Sequence, residues 1–144
     1  MTPLGHGGSA DRDYRQMLER LCVVAEVPVA DHVSVINNEA MMLGGLQVSF
    51  RMEEWSGFVK VYVDVGPPDP AREHELYRYL LEQQLVLPAP FFMLAAVDPA
   101  SGHIMFYGCA PIPTDAESDN EFFGFLNGCV YAAALLKPNL ARAG

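Results

Sequence analysis

The stretch "LQVSFRMEEWSGFVKVYVDV", residues 46–65, alternates apolar and polar side chains. Leu46, Val48, Phe50 and Met52 share one face, opposite Gln47, Ser49, Arg51 and Glu53. Val59, Val61, Val63 and Val65 then alternate with Phe58, Lys60, Tyr62 and Asp64. Period two is the signature of strands buried on one face. With Ser56-Gly57 as a two-residue turn, Trp55 falls opposite Phe58, Glu53 opposite Lys60 and Met52 opposite Val61. A hairpin with one apolar face needs a cover, and the flanking sequence supplies it.

Upstream, Tyr14, Met17, Leu18, Leu21, Cys22 and Ala25 recur at steps of three and four, predicting an amphipathic helix over 11–26. Asp11 is its expected cap and Pro28 its stop. A short strand is expected at Val33 to Ile36. Downstream, "DPAREHELYRYLLEQQL" begins a second helix, with Asp69 as cap, Pro70 in the first turn, and Leu76, Leu80, Leu81 and Leu85 as its apolar side. After "VLPAP" comes "FFMLAAVDPASGHIMFYG", residues 91–108: two apolar runs joined by a Pro-Gly turn. A capping box from Thr114 to Glu117 announces the last helix, with stripe Phe122, Phe125, Leu126, Cys129, Ala133 and Leu136, and Pro138 as its stop. Gly124 and Gly128, one turn apart in it, fit either a close approach of another backbone or a bend. The order is α-β-β-β-α-β-β-α, an α+β domain with an antiparallel sheet and helices mainly on one face. The expected layout is a flexible tail at 1–10, a single domain at 11–138 and a short tail at 139–144.

The chain has 144 residues, 51% of them hydrophobic, and a formal net charge of −9. That balance excludes disorder and argues against nucleic acid, which needs a basic stripe. No secretory leader is apparent at the start, and no apolar run reaches the ~18 residues of a membrane span. Cys22, Cys109 and Cys129 each lie in an apolar pattern and are expected to be buried reduced thiols, which suits the cytoplasm. His74 lies between Glu73 and Glu75, but position 78, where a zinc-protease pattern needs its second His, is Arg. Gly7-Gly8 and Gly44-Gly45 lack the context of phosphate loops, and no serine stands in a GxSxG elbow. The expectation is a protein that is no enzyme and needs no cofactor or metal.

In element order, length and acidic balance the chain resembles the type III secretion chaperones of the CesT/Tir family. "YRYLLEQQLVLPAPFFMLAAVDPASGHIMFYGCAPI" is similar to that family's central stretch, and "EFFGFLNGCVYAAALLK" to its closing helix. The likeness spans residues 12–137. The chain departs at "LPAPFF", where the family is usually glycine-rich, and at Gln83-Gln84, where it has a small residue and Asn. The resemblance implies a cytoplasmic homodimer that binds the N-terminal region of a secreted effector in extended form and keeps it ready for export. Two other functions stay open: an adaptor or regulator outside secretion on the same fold, and a small-molecule-binding domain.

The expected client surface comprises Met41, Met42, Leu43, Arg51, Trp55, Phe58 and Tyr62, on or beside the face opposite the valines. Methionines and aromatics there suit varied client side chains. The alternative is that these aromatics are buried in the dimer or under a loop. The expected dimer interface comprises Leu76, Tyr77, Leu80, Leu81, Phe92 and Leu94, the alternative being that the leucines cover only their own sheet.

Overall fold

A computed structural model of the chain describes residues 4–53, 56–86 and 94–142, with the backbone alone at 4–10 and 138–142. Its elements are α1 (Leu4–Val24), α2 (His32–Asn38), β1 (Ala40–Leu43), β2 (Leu46–Glu53), β3 (Phe58–Gly66), α3 (Glu73–Gln83), β4 (Leu94–Val97), β5 (Ile104–Pro111) and α4 (Ala116–Arg142). The strands form one antiparallel sheet in the order β1-β2-β3-β5-β4. Helices cover one side of it, so the molecule is α+β.

The covered side is the valine face. Val59, Val61 and Val63 have no exposed surface, and Val48 on β2 has none either. Over them lie Met17, Leu18 and Cys22 of α1, Leu76 and Leu80 of α3, and Leu126, Cys129 and Ala133 of α4, all buried. Burial pushes the Cys129 thiol up to about 12 and raises that of Cys22. Arg20 clamps α1 to the start of α4. Its Nε donates to Asp119 Oδ2 at 2.6 Å, and its Nη2 donates to Asp119 Oδ1 and to the Pro113 carbonyl, both at 3.0 Å.

Several local expectations are corrected. Val33 to Ile36 belongs to α2, and the first strand lies at Ala40–Leu43. The segment "VSVI" is too short for period alone to decide, and Val35 turns into the core while Val33 is exposed. The β2–β3 ladder pairs Glu53 with Phe58, Met52 with Val59 and Arg51 with Lys60, two residues away from the expected register. The Gly57 carbonyl accepts from the Ile112 N–H at 3.0 Å, which ties the loop to the end of β5. An even slip keeps every side chain on its predicted face, whereas an odd one would invert them all.

The ends of the helices also differ. α1 extends back to Leu4, so Asp11 lies within it, and residues 4–10 of the expected tail are helical. Once a helix exists, each added residue gains a hydrogen bond, which offsets the poor propensity of the glycines there. α1 ends before Pro28 in a Schellman motif: Glu26 takes φ +58°, Val27 N–H donates to Cys22 O, and Glu26 N–H donates to Val23 O. α4 runs through Pro138 to Arg142, four residues beyond the expected stop. Proline fits helical φ and forfeits one hydrogen bond without ending the helix. The α4 cap is Asp115 with Ser118, rather than Thr114 with Glu117. Ser118 N–H donates to Asp115 Oδ1 at 2.7 Å, and Thr114 and Asp115 N–H groups donate to Ser118 Oγ.

Glycine is required at the β1–β2 turn. Gly44 has φ +57°, and a Cβ there would meet Val130 Cγ1 of α4 at 2.9 Å. Gly57 has φ +72° with open space around it. Gly44→Ala should therefore cost about 1–3 kcal/mol in urea unfolding, and more than Gly57→Ala. Equal costs would show that the turn does not press on α4.

The Ser118 backbone and hydroxyl bonds hold the Asp115 carboxyl below its ordinary value. A carboxylate whose folded pKa is depressed stabilises above its unfolded value, and the contribution is lost as pH falls through the folded one. The melting-temperature advantage of the native chain over Asp115→Asn at pH 7 should thus close as pH drops below about 4. An advantage unchanged down to strong acid would exclude this cap.

Candidate functional site

Among the described residues, no helix covers the other side of the sheet. Across it stand Met42 of β1, Gln47, Ser49, Arg51 and Glu53 of β2, and Phe58, Lys60, Tyr62 and Asp64 of β3. They are continued by Met105, Tyr107 and Cys109 of β5 and Leu94 and Ala96 of β4. Tyr62 and Tyr107 are directly paired and stack with ring centroids 5.8 Å apart and planes at 27°. Such offset aromatic pairs form a rigid, amphipathic floor. Around them an open groove of about 560 Å³ is lined by Ser49, Arg51, Lys60, Tyr62, Ala96–Pro99, Met105 and Tyr107.

One end of the groove is built by two turns. Asp98 accepts from Ala100 N–H at 3.0 Å and from the Ser101 hydroxyl at 2.9 Å, and Gly102 has φ +77°. Opposite, a bulge at Asp64 to Gly66 bends β3, with Asp64 Oδ1 accepting from Gly66 N–H at 2.8 Å. The His103 ring nitrogen Nδ1 lies 3.0 Å from Asp64 Oδ2. At the other end Lys60 Nζ meets Glu53 Oε1 at 2.8 Å, and this bond holds the ammonium above its ordinary value.

Of the seven expected client residues, four share this face: Met42, Arg51, Phe58 and Tyr62. Met42 is 62% exposed and Phe58 39%. Met41 is buried in the core, Leu43 is half-buried against it, and Trp55 lies outside the described residues. Tyr107 and Met105 were missed. Their signal was available in the alternation of "IMFYGC", but it acquires meaning only when β5 is placed beside β3.

The expected dimer residues divide. Leu76 and Leu80 face the chain's own core, because they lie one turn apart on the buried side of α3. Leu81 is exposed and Tyr77 half-buried beside a cleft of about 140 Å³ between α3 and β4. Leu94 on β4 is exposed, and Phe92 lies outside the described residues. Leu85 falls beyond the end of α3 and, like Val86 and Val97, is exposed. Cys109, expected to be buried, is exposed on the open face, since β5 turns Phe106 and Gly108 inward instead.

Among the described residues, no three His, Cys, Asp or Glu side chains gather where a metal ion could be held. Tyr14, whose hydroxyl donates to Glu39 Oε1 at 2.6 Å, has its acidity suppressed by burial and by that carboxylate. Among the described residues, no helix is long and apolar enough to cross a membrane.

No protein-family profile matches the chain, and no curated protein sequence matches it. Solved structures do. A chain of the ExsC–ExsE complex superposes with TM-score 0.63 at 11% identity, covering 88% of this chain and 92% of that one. A chain of the HopA1–SchA chaperone–effector complex superposes with TM-score 0.63 at 12% identity, covering 90% and 97%. At such low identity the likeness is one of architecture, and it is nearly complete: the five-stranded antiparallel sheet with helices on one side is the fold found in these two complexes.

Proposed function

We propose that this protein is a cytoplasmic chaperone of type III secretion, of the CesT/Tir kind, that holds the N-terminal region of an effector extended. The observation that carries the reading is the open, aromatic and helix-free sheet face on a fold matched by a chain from a chaperone–effector complex. A broad shallow groove suits a strand-like segment, whereas a small-molecule site is usually a deep enclosure. Met42, Arg51, Phe58 and Tyr62 are the client-contacting residues in this reading, with Tyr107 added. The chaperone acts by binding alone, without cofactor or nucleotide.

It acts as a homodimer. Leu81 and Val97 at the cleft between α3 and β4, Leu94 at the start of β4, and Leu85 and Val86 just after α3 are between 44% and 90% exposed. Apolar surface of that extent favours burial against a second copy. Light scattering at micromolar concentration should give twice the 15.8 kDa chain mass. Leu81→Asp should reduce it to the single-chain mass with an unchanged circular dichroism spectrum. A native chain that is monomeric would exclude this assembly.

For client binding, Phe58→Ala and Met42→Ala should each weaken the complex with the effector's N-terminal segment by roughly 1–3 kcal/mol in calorimetry. Neither should alter the mass of the dimer. Unchanged affinity in both would remove the open face as the client site.

A further inference from the structure

Arg51 and Lys60 are directly opposite one another in the β2–β3 ladder, and both project from the open face. Like charges at opposed positions weaken an antiparallel pair. The placement is unexpected in a chain with 9 basic and 18 acidic residues. Glu53 neutralises Lys60. The other two acids at the groove are committed elsewhere, Asp64 to His103 and Gly66, and Asp98 to its own turn. Arg51 is exposed and forms no ion pair with any described residue. Its planar guanidinium is suited to take a carboxylate by two parallel hydrogen bonds.

The stacked Tyr62–Tyr107 shelf lies one step away. Lys60 and Tyr62 are two residues apart on β3, a rise of about 7 Å. Side chains at i and i+2 on one face of an extended peptide repeat at that same distance. Building on the chaperone reading, we propose that the groove recognises an acidic-x-aromatic segment of the client. Its Asp or Glu pairs with Arg51, and the aromatic side chain two residues on rests on Tyr62 and Tyr107. Charge complementarity selects this occupant: an acidic segment is repelled by most of a surface with net charge −9 and is welcomed at Arg51, a cation that no described acid neutralises.

Two fluorescein-labelled decapeptides of Gly and Ser, one containing Asp-Ser-Phe and the other Lys-Ser-Phe, test this against the full chain by anisotropy. The acidic peptide should bind at least tenfold more tightly, and more weakly as salt is raised. Arg51→Glu should reverse the preference, a charge swap that a purely structural role would not produce. Tyr107→Ala should weaken the acidic peptide while leaving the preference for acid over base. Amide shifts on binding should centre on Ser49, Arg51, Tyr62 and Tyr107. Equal affinities, no reversal with Arg51→Glu, or shifts centred elsewhere would each overturn the proposal. So would displacement of the peptide by an equal concentration of succinate, which would make the groove a small-carboxylate site. Concentration-dependent shifts of the same amides without peptide, abolished by Arg51→Glu, would assign the face to a second copy instead. An effector segment that binds the native chain and Arg51→Glu equally well would overturn this recognition and leave the chaperone reading standing. Acidic-peptide binding that behaves as expected, in a chain that holds no effector, would do the reverse.

Discussion

Everything on the working face follows from the need to bury the four alternate valines of β3. They occupy the middle strand of the sheet and lie under α1 and α4. Because side chains alternate, burying that row commits Phe58, Lys60, Tyr62 and Asp64 to the opposite side. The helices are consumed in covering one face, and among the described residues no element remains to cover the other. An antiparallel sheet tolerates this, since its second face can meet water. Here that face is half aromatic and apolar, which is more than solvation requires.

The edges of the same sheet differ in how they are guarded. At the β1 end the short strand is backed by α2, and Glu39, at φ +52°, passes the chain from helix to strand. Its carbonyl accepts from Phe50 N–H at 2.8 Å while its carboxylate accepts from the Tyr14 hydroxyl. At the β4 end Val97 is exposed beside an exposed Leu81, and Leu94 is exposed on the open face. Natural sheets seldom leave an apolar edge of this kind unprotected.

Which side each residue of β2 and β3 takes was legible in the sequence, because parity depends only on alternation. The turn at Asp98 to Gly102 was legible as well, since each of its residues has a local reason to be there. The hairpin register was not, because turn length is decided by contacts such as Gly57 with Ile112 that lie far apart in the chain. The segment at Val33 fits both periods over four residues, and only the placement of α2 against α1 chooses between them. The open face was half legible: β2 and β3 could be read locally, whereas Tyr107 joins Tyr62 only through a pairing 45 residues away. Met41 faces the core because β1 includes it and alternation sets it opposite Met42, in a strand too short for its own pattern to reveal.

The Arg20 clamp has a consequence for how the chain is born. It joins residues 99 apart, and the central strand β3 waits for β5 before it is paired on both sides. Contacts so distant close late, after most of the chain has been made. Until residues 113–119 have left the ribosome, α1 has no partner for Arg20, and the valine row lacks the helix that seals it. The nascent chain therefore passes through an interval in which both faces of its sheet are open to other chains.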